Sequence, residues 1–587
     1  MKSFLFILIM FASGLYAGEI PEERLVDWGK AGAVFVCDSM HIITSSSLGL
    51  DNTGNNDNTA VINNAIDTAS KPLMFLFEPG IYLFNGTIKL KSNVCISGYS
   101  SENTFFKFDM HKKAAHCFNI SGGAASEFTD VSGGYFRNND YLTTEQYDIF
   151  ATGDYVEIHQ ENGNWDSNPA NWAKYSVGQV LKIKSIHKDT LFFYEKLRID
   201  YTAGLHPRLR KINPIENCEI KYLNIERIDL PDNGAPYNIL LSFAVNCGIS
   251  GVESNKSVGS HIMITLSKNI TVSGSYFHNA FIFDGSGTKG YGVTLNNHAS
   301  DCLVENNIFR YLRHAMMVKH GANGNVFAYN YSLEPHRSEP IADLSGDISL
   351  HGHFAYANLF EGNIVQNIIT DDFWGPSGPL NTFFRNRAEL YGIISTSDKS
   401  DSMNYAGNEV TNTTPLMGQF LIKGNGHYFC CNNIKGEILP DDSDDLTRSS
   451  IFYDKTPAFW DIPAAFPTIG IPNDLGKHTI PAKYRYDNRK KKTVGEYIPV
   501  SVALPKVKDI QITPNPATDY VDIAVVGGTN RTPKDAVVVY DESGSIVLTL
   551  TPSLSLNGKG VKVDVSGLAA GVYFVHIAGK MYKFVKM

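Results

Sequence analysis

Short segments of alternating apolar and polar residues recur along the chain, separated by Gly, Asn and Asp. Such alternation predicts β-strands rather than helices. The segments that align with one another are NITVSGSYF (269–277), CLVENNIF (302–309), NVFAYNYS (325–332), NLFEGNIV (358–365), NTFFRNRA (381–388) and YFCCNNIK (428–435). Their shared asparagines are Asn307, Asn330, Asn363, Asn386 and Asn433, which lie 23, 33, 23 and 47 residues apart. These separations indicate a unit of about 23 residues, with loops inserted in some copies.

A unit of this length holds two or three short strands and cannot bury its apolar side alone, but stacked copies can. We therefore predict an all-β chain whose main domain, residues 25–437, is a right-handed single-stranded parallel β-helix. The recurring asparagines would stack into a ladder of side-chain amides. A β-propeller is the competing architecture, but its blades need roughly 40–45 residues at regular spacing.

Residues from about 130 to 205 alternate like antiparallel hairpins, and they predict a small β-subdomain inserted early in the β-helix. Its loop NWDSNPANW contains Trp165 and Trp172. These tryptophans either stack on sugar rings or pack locally. After the β-helix, residues 438–505 are irregular and Pro-rich, with the charge runs PDDSDD and NRKKKT, and we interpret them as a solvated linker. Residues 506–587 predict a compact β-sandwich.

The N-terminus MKSFLFILIMFASGLYAG has a basic residue, a short apolar run and a small residue at Ala17, which predicts a signal peptide over residues 1–17. That run is too short to span a bilayer, and no later segment predicts a transmembrane helix. The net charge of -9 argues against a nucleic-acid partner. The 8 cysteines form no CxxC pair, so we expect buried free thiols rather than a zinc site.

The opening of the predicted β-helix, residues 49–100, resembles the pectate-lyase-like superfamily of rhamnogalacturonases, epimerase-like lyases and phage tailspikes. The resemblance lies in Asp57, Asn58 and Thr59, in the helix-like TAVINNAIDTA, and in FEPGIY. It implies a parallel β-helix that begins with a capping helix. It implies little about the chemistry, because one fold supports many activities.

The C-terminus resembles the type IX secretion sorting domain of Bacteroidetes. The matching elements are Pro514–Asn515–Pro516, the hairpin YDESGSIV, the segment GLAAGVYFV and the terminal KFVKM. This resemblance implies that the type IX secretion machinery carries the protein across the outer membrane. The expected location is therefore outside the cell or on its surface.

Polar residues follow the apolar strand ends of successive repeats: Asn296 after VTL, Lys319 after MMV, His351 after ISL and Asp371 after IIT. Equivalent positions in stacked coils lie about 4.8 Å apart, so these four side chains are predicted to line one groove. The other residues expected to bind substrate are His298, His320, His353, Asp372, Trp374 and Arg310.

A cationic, His-rich groove in an acidic protein favours an acidic polysaccharide as substrate. A polysaccharide lyase needs a cation to neutralise the uronate carboxylate and a base to remove the C5 proton. We predict that Lys319 is the base or the carboxylate partner, that Arg313 binds the acid group, and that His314 or His351 moves protons. Bound Ca²⁺ is an alternative source of positive charge. We expect a monomer.

Glycoside hydrolysis is the second functional hypothesis. It needs two carboxylates that flank the scissile glycosidic bond. The candidates are Asp347, Glu361, Asp371 and Asp372, although adjacent strand residues such as Asp371 and Asp372 point to opposite faces. The third hypothesis is a non-catalytic adhesin or glycan-binding β-helix. Arg310 and Arg313 could instead make surface ion pairs, and His351 with His353 could bind a metal ion.

Overall fold

The apolar repeats fold into coils of three short strands, and each strand pairs in parallel with its equivalents in the coils before and after. One complete coil consists of Leu303–Glu305, Ile308–Arg310 and His314–Val318. We call the three stacks of strands face 1, face 2 and face 3, in chain order within a coil. The predicted parallel β-helix is confirmed.

The computed structural model divides into two units, Met1–Tyr497 and Ile498–Met587. It describes residues 19–34, 37, 40–285, 287–336, 346–441, 443, 446–498, 510–513, 515–525, 537–541, 546–550, 561–577 and 580–587. The predicted signal peptide, residues 1–17, lies outside the described residues.

The strands of the three faces have the following bounds. Face 1 contains His41–Thr44, Leu73–Phe77, Val94–Gly98, Ile215–Glu216, Glu219–Lys221, Ala244–Ser250, Lys268–Ser273, Leu303–Glu305, Val326–Ala328, Leu359–Glu361, Thr382–Phe384, Asn404–Ala406 and Tyr428–Cys430. Face 2 contains Thr53–Asp57, Gly80–Phe84, Thr104–Phe108, Asn224–Arg227, Glu253–Ser257, Tyr276–Ala280, Ile308–Arg310, Tyr331–Leu333, Glu409–Val410, Asn432–Ile434 and the antiparallel Glu437–Leu439. Face 3 contains Ile88–Lys89, Phe118–Ser121, Ile239–Ser242, Ser260–Thr265, Tyr291–Asn296, His314–Val318, Ile348–Leu350 and Gln419–Leu421. The longer strands Ile364–Thr370 and Arg387–Ser395 run through faces 2 and 3.

Aromatic residues stack inside the later coils. Phe327, Phe360, Phe383 and Tyr405 follow one another with ring centroids 5.0–5.1 Å apart, close to the spacing of the strands themselves. At the N-terminal end the predicted capping helix is observed as Thr59–Thr68, and it buries Ile62 and Ile66 against the first coils. The inward-facing apolar residues thus form one continuous core along the β-helix.

Asparagine ladders run along the corners on both sides of face 1. Between faces 1 and 2, each side-chain amide donates to the next coil's Oδ1, at 2.9–3.1 Å, in the order Asn307, Asn330, Asn363, Asn386, Asn408, Asn432. Asn325, Asn358 and Asn381 repeat the pattern at the other corner. The predicted ladder is therefore confirmed, but its last member is Asn432 and not Asn433. The predicted gap of 47 residues contains one additional coil, which carries Asn408.

The inserted subdomain is observed as an antiparallel sheet. Its strands are Gly123–Ala124, Thr129–Asp130, Tyr141–Thr143, Tyr155–Gln160, Val177–His187, Thr190–Phe193 and Arg208–Asn213. Its short 3-10 turns are Tyr147–Ile149, Asn171–Ala173 and Ala203–Leu205. The insertion is thus somewhat longer than the predicted 130–205. The chain leaves its coil and returns at neighbouring positions, since a Cβ on Gly122 would lie 2.3 Å from the Asn213 carbonyl oxygen.

Buried charges fix the subdomain to the β-helix. Asp301, on the turn between faces 3 and 1, accepts hydrogen bonds from Arg198 of the subdomain and from Lys268 of face 1. Arg198 also donates to Asn323 Oδ1 at 2.8 Å. Because breaking a buried, paired charge is costly, these contacts hold the subdomain in one position.

Residues 446–497 are irregular, as predicted, but the interpretation as a solvated linker is wrong for this part of the segment. They pack along the β-helix and bury Leu446, Ile469 and Ile480. Arg385 donates to the carbonyl oxygens of Ile469 and Leu446 at 2.7 and 2.9 Å. The segment ends in the helix Pro481–Asn488. Its apolar residues were too scattered to reveal a buried side in the sequence.

The cysteines divide into two groups. Cys117, Cys218, Cys247 and Cys302 are free and buried, as predicted. The prediction was wrong for the other four, because Cys37 bonds to Cys95 and Cys430 bonds to Cys431. No sequence spacing reveals a contact between residues as distant as Cys37 and Cys95.

The C-terminal unit contains two antiparallel sheets. One is built from Ile510–Thr513, Tyr520–Val525 and Val561–Asp564, and the other from Val537–Tyr540, Ile546–Leu550, Gly571–Ile577 and Lys580–Lys586. This agrees with an all-β segment, and its arrangement as a sandwich stays a prediction. Within the described residues, no helix has the length and apolarity that a membrane crossing requires.

Candidate functional site

The register of face 3 places the predicted groove residues side by side. Asn296, Lys319, His351 and Asp371 each directly follow a strand position paired with the next coil. Backbone hydrogen bonds of 2.8–3.0 Å continue the pairing: Lys319 N to Leu295 O, His351 N to Val318 O, and Asp371 N to Leu350 O. We call these four residues the polar row. They occupy successive coils, as predicted.

A histidine–carboxylate pair lies in the middle of the polar row. His351 Nδ1 donates to Asp371 Oδ2 at 2.7 Å, and 15% of the His351 side chain is exposed. The backbone N–H of Phe373 donates to the other carboxylate oxygen at 2.8 Å. Because Nδ1 supplies the proton to Asp371, the neutral ring carries its lone pair on Nε2. His351 is thus oriented as a base.

A second histidine approaches the first across face 3. The rings of His314 and His351 have centroids 5.5 Å apart, although the residues leave opposite ends of the face. His314 Nδ1 lies 3.1 Å from the Gly346 carbonyl oxygen. Met317 and Ser349 are paired neighbours on the two strands concerned, and both are fully buried.

Lys319 is the cation of this site. It is partly buried, and its ammonium donates to Thr288 Oγ1 at 3.3 Å. Burial lowers the pKa of Lys319 to about 8. Within the residues that the structure describes, no carboxylate lies within ion-pair distance of this ammonium.

Aromatic residues border the polar row. The Trp374 ring lies 6.5 Å from His351, and Trp172 of the inserted subdomain lies 6.3 Å from Trp374. Trp165, in contrast, packs on Phe354 at 4.6 Å. The structure therefore separates the two loop tryptophans: Trp172 is beside the site and Trp165 belongs to local packing.

His298, His320 and His353 stack on the turn after face 3, beneath the subdomain rather than in the open site. His298 is bonded through both nitrogens, to Glu157 and to the Tyr175 carbonyl, each at 2.8 Å. His353 Nε2 donates to the Asn168 carbonyl oxygen at 3.1 Å. Burial lowers the pKa of His320 and that of His353, so both rings are neutral. Their placement indicates that they support the subdomain.

The four candidate carboxylates do not form a pair. Asp372 points away from Asp371 and accepts hydrogen bonds from Ser397 and Ser400, as the opposite orientation of neighbouring strand residues predicted. Burial raises the pKa of Asp372. Glu361 lies on face 1, where it accepts the Ile451 N–H at 2.8 Å. Asp347 is buried at the start of a face 3 strand, and burial raises its pKa to about 6.

The two predicted arginines lie outside the polar row. Arg310 ends a strand of face 2 and pairs with Glu334 at 2.7 Å on the exposed surface. Arg313 precedes the strand His314–Val318, whereas Lys319 follows it. Its guanidinium donates to the Gly285 carbonyl oxygen at 2.9 Å. The ion pair considered as the alternative for Arg310 is therefore observed, and Arg313 is a full strand length from Lys319.

Sequence reasoning missed two further members of the same stack. The register of face 3 continues to Thr396 and Lys423, and the Lys423 ammonium lies 3.4 Å from the Thr396 carbonyl oxygen. The signal was available, because Lys423 follows the apolar FLI as Lys319 follows MMV. Thr288 was also missed, since it lies on a loop that has no repeat pattern.

The polar row is poorly suited to calcium. Ca²⁺ takes roughly six to eight oxygen ligands, whereas the row offers the single carboxylate Asp371, which already binds His351. His351 and His353 direct their nitrogens to different partners. Within the described residues, no group of three or more His, Cys, Asp or Glu side chains could hold a metal ion.

Comparisons with known proteins agree with this architecture. Residues 43–140 match the family described as rhamnogalacturonase A/epimerase, pectate lyase-like. The first coils belong to a pectate-lyase-like β-helix. Residues 511–587 match the secretion system C-terminal sorting domain. The protein is therefore exported by the type IX secretion system and is secreted or held at the cell surface. No curated protein matches the chain in sequence.

Solved structures share the fold at low sequence identity. The tailspike protein gp49 from Pseudomonas phage LKA1 matches with a TM-score of 0.51 and 13% identity, over 63% of this chain and 64% of the tailspike. The tailspike gp61 of Pseudomonas phage phi297 gives 0.47 and 12% identity, over 68% and 72% of the two chains. The mannuronan C-5 epimerase AlgE6 A-module of Azotobacter vinelandii gives 0.32 and 12%, over 66% and 99%. This chain thus spans less than two thirds of gp49.

Proposed function

We propose that the protein is a polysaccharide lyase that cleaves an acidic, uronate-containing polymer by β-elimination. The single observation that carries this proposal is the His351–Asp371 pair, one coil away from the partly buried Lys319. Export of the protein to the cell exterior supports it, because polymeric substrates are met there.

His351 is the proposed base. Its Nε2 removes the C5 proton of the uronate, while Asp371 keeps Nδ1 protonated and stabilises the imidazolium that forms. The C5–H electrons form the C4–C5 double bond, and the bond from C4 to the glycosidic oxygen breaks. The leaving oxygen then needs a proton. His314, whose ring is 5.5 Å from His351, is the candidate to deliver it.

Lys319 is the proposed partner of the substrate carboxylate. Removal of the C5 proton spreads negative charge onto that carboxylate, so a fixed cation lowers the energy of the transition state. In a partly buried place the interaction is stronger than in bulk water. Because no protein carboxylate compensates Lys319 in the described residues, a bound uronate would supply the missing negative charge.

Hydrolysis is the less favoured alternative. It needs two carboxylates on either side of the scissile bond, but Asp371 is engaged with His351 and Asp372 points to Ser397 and Ser400. A non-catalytic glycan-binding role is the remaining alternative. The products distinguish the three functions, because only elimination forms an unsaturated uronate that absorbs ultraviolet light.

The test is an absorbance screen of the purified protein with pectate, alginate, ulvan and glycosaminoglycans. A lyase gives a rising ultraviolet signal that disappears in His351→Ala. Reducing ends without this signal would instead establish hydrolysis. If a polymer binds and neither product forms, the protein is a binder. Full elimination activity in both His351→Ala and Lys319→Ala would disprove the assignment of the polar row.

A further inference from the structure

The inserted subdomain places an exposed indole beside the polar row. Trp172 lies on the short turn Asn171–Ala173, and 53% of it is exposed. The rings of His353, His320 and Trp374 lie 4.8, 5.5 and 6.3 Å from it, at steep interplanar angles of 69–82°. Within the described residues, no ring is therefore stacked flat on this indole.

A second exposed ring extends this surface from the β-helix side. Phe373 is 71% exposed and meets Trp374 edge to face at 5.0 Å. Asn168 of the subdomain joins the two elements, because its Nδ2 donates to the Phe373 carbonyl oxygen at 2.7 Å and its own carbonyl accepts from His353. We call Trp172, Phe373 and Trp374 the aromatic platform.

Trp172 and Phe373 are exposed to solvent although their rings are apolar. Joined exposed apolar groups are unusual in soluble proteins and commonly mark a binding surface. The apolar face of a sugar ring, with its C–H groups, is a suitable partner for an aromatic ring. Because Trp374 is 6.5 Å from His351, a sugar on the platform would adjoin the one at the polar row.

The charges around the aromatic platform disfavour an anionic sugar. Asp371 accepts the Phe373 N–H at 2.8 Å, and Asp166 lies 3.7 Å from His353 Nε2. The buried His320 and His353 are uncharged. Lys174 is close in sequence to Trp172, but its ammonium lies 3.8 Å from Glu161. The platform thus differs from the polar row, where Lys319 has no ion-pair partner among the described residues.

We propose that the aromatic platform is a subsite that stacks on a neutral sugar next to the uronate held at the polar row. The substrate class is then a heteropolysaccharide in which uronate alternates with a neutral sugar. This inference rests on the proposed function for the position of the uronate. The neutral character of the neighbouring sugar follows from the platform itself.

The test is affinity electrophoresis of the full chain in gels that contain one polymer each. Hyaluronan and rhamnogalacturonan alternate a uronate with a neutral sugar, whereas pectate and alginate consist of uronates. We expect stronger retardation by at least one alternating polymer than by either uronate polymer. Trp172→Ala and Phe373→Ala should each weaken that affinity roughly tenfold, and Trp172→Phe, which keeps a ring, should weaken it less.

Phe136→Ala is the matched control, because Phe136 also lies in the inserted subdomain and is 69% exposed. Among the described residues, the ring contacts of the platform do not include Phe136. This variant should migrate as the wild type does. Retardation by the uronate polymers alone, by none of the four polymers, or equally in wild type and Trp172→Ala would each overturn the subsite.

A further lane separates this inference from the proposed function. His351→Ala should still be retarded, because it keeps the aromatic platform. If the platform variants lose retardation and the wild type nevertheless forms no unsaturated product, elimination is the wrong activity and the subsite stands. If product forms and Trp172→Ala binds as the wild type does, the subsite is wrong and the lyase stands.

Discussion

The Asn ladder between faces 1 and 2 and the polar row after face 3 are produced by the same stacking of coils. In the ladder every position carries the same residue, each is fully buried, and each amide bonds the next coil. In the polar row the residues are Asn, Lys, His and Asp, and they are partly exposed. A stack that repeats one residue type at equal spacing thus stabilises the fold. A stack that carries different ionisable residues at the same spacing is a candidate functional site.

The difference has a physical cause. A buried amide bears two donors and two acceptor lone pairs, so identical amides can satisfy one another along a stack. Stacked identical charges would repel, and stacked identical imidazoles would each need a donor and an acceptor nearby. Ionisable residues on successive coils therefore need partners of another kind, as His351 has in Asp371 and His298 has in Glu157.

The largest expected effect is the loss of stability when the Asn ladder is interrupted. Asn363→Ala removes a side chain that accepts two hydrogen bonds from Asn330 and donates to Phe327 O and Asn386 Oδ1. The loss of buried partners should lower the free energy of unfolding by about 3–5 kcal/mol. Denaturant unfolding measures it. Asn433→Ala, just outside the ladder, is the control and should cost far less; equal losses would mean that the ladder contributes little.

His351→Ala should have the opposite profile, with little loss of stability and a large loss of activity. Removal of the proposed base is expected to reduce kcat/KM for elimination about 100- to 1000-fold. His278→Ala is the matched control, because His278 also pairs with a carboxylate, Glu253 at 3.0 Å, and is similarly exposed at 14%, but lies on face 2. A similar drop in both variants would show that the pairs support the fold and not the chemistry.

Lys319→Ala should reduce kcat/KM by about 10- to 100-fold, because it removes the cation that we propose pairs with the substrate carboxylate. The loss should be smaller for a substrate whose carboxylate is esterified, since that group carries no charge to neutralise. Rates of unsaturated product formation on free and esterified polymer measure this. The same loss on both substrates would assign Lys319 a role other than charge pairing.

The smallest effect is a displacement of the pH profile. The pKa of Lys319 is about 8, so its ammonium is charged below that pH and loses its proton above it. If the charge is required, kcat/KM should fall as the pH rises through about 8. Lys319→Arg keeps a charged group at all these pH values and should move the fall upward by at least about 1 unit. An unchanged alkaline limit would attribute the fall to another group.

The sequence predicted the coil and the register because both depend on local alternation repeated at nearly constant spacing. Asn330 and Asn363 lie 33 residues apart and still stack, since the extra residues form a loop outside the coil. One ladder position was wrong by a single residue, because Asn432 and Asn433 are adjacent and only the turn geometry selects between them. The C-terminal resemblance was confirmed for the same reason, since its motifs are local and ordered.

The rest of the site depends on contacts that no local pattern encodes. Trp172 reaches the polar row only because the subdomain docks through Asp301 and Arg198, residues far apart in the chain. His298 and His353 belong to the predicted stack, but the same docking covers them. Arg310 and Arg313 are close to Lys319 in sequence, yet they lie at other corners of the coil. Sequence proximity grouped residues that the fold separates.

The position of the insertion has a further consequence. Because Gly122 and Asn213 are neighbours in space, the coil that contains them is geometrically complete without the subdomain, and a short turn could connect the same two points. Lys319, His351 and Asp371 belong to the coils, whereas Trp172 belongs to the insertion. If the proposed roles hold, an exchange of this one module between related chains would replace the Trp172 side of the platform and leave the proposed bond-breaking groups in place. Part of the sugar preference would then evolve separately from the reactivity.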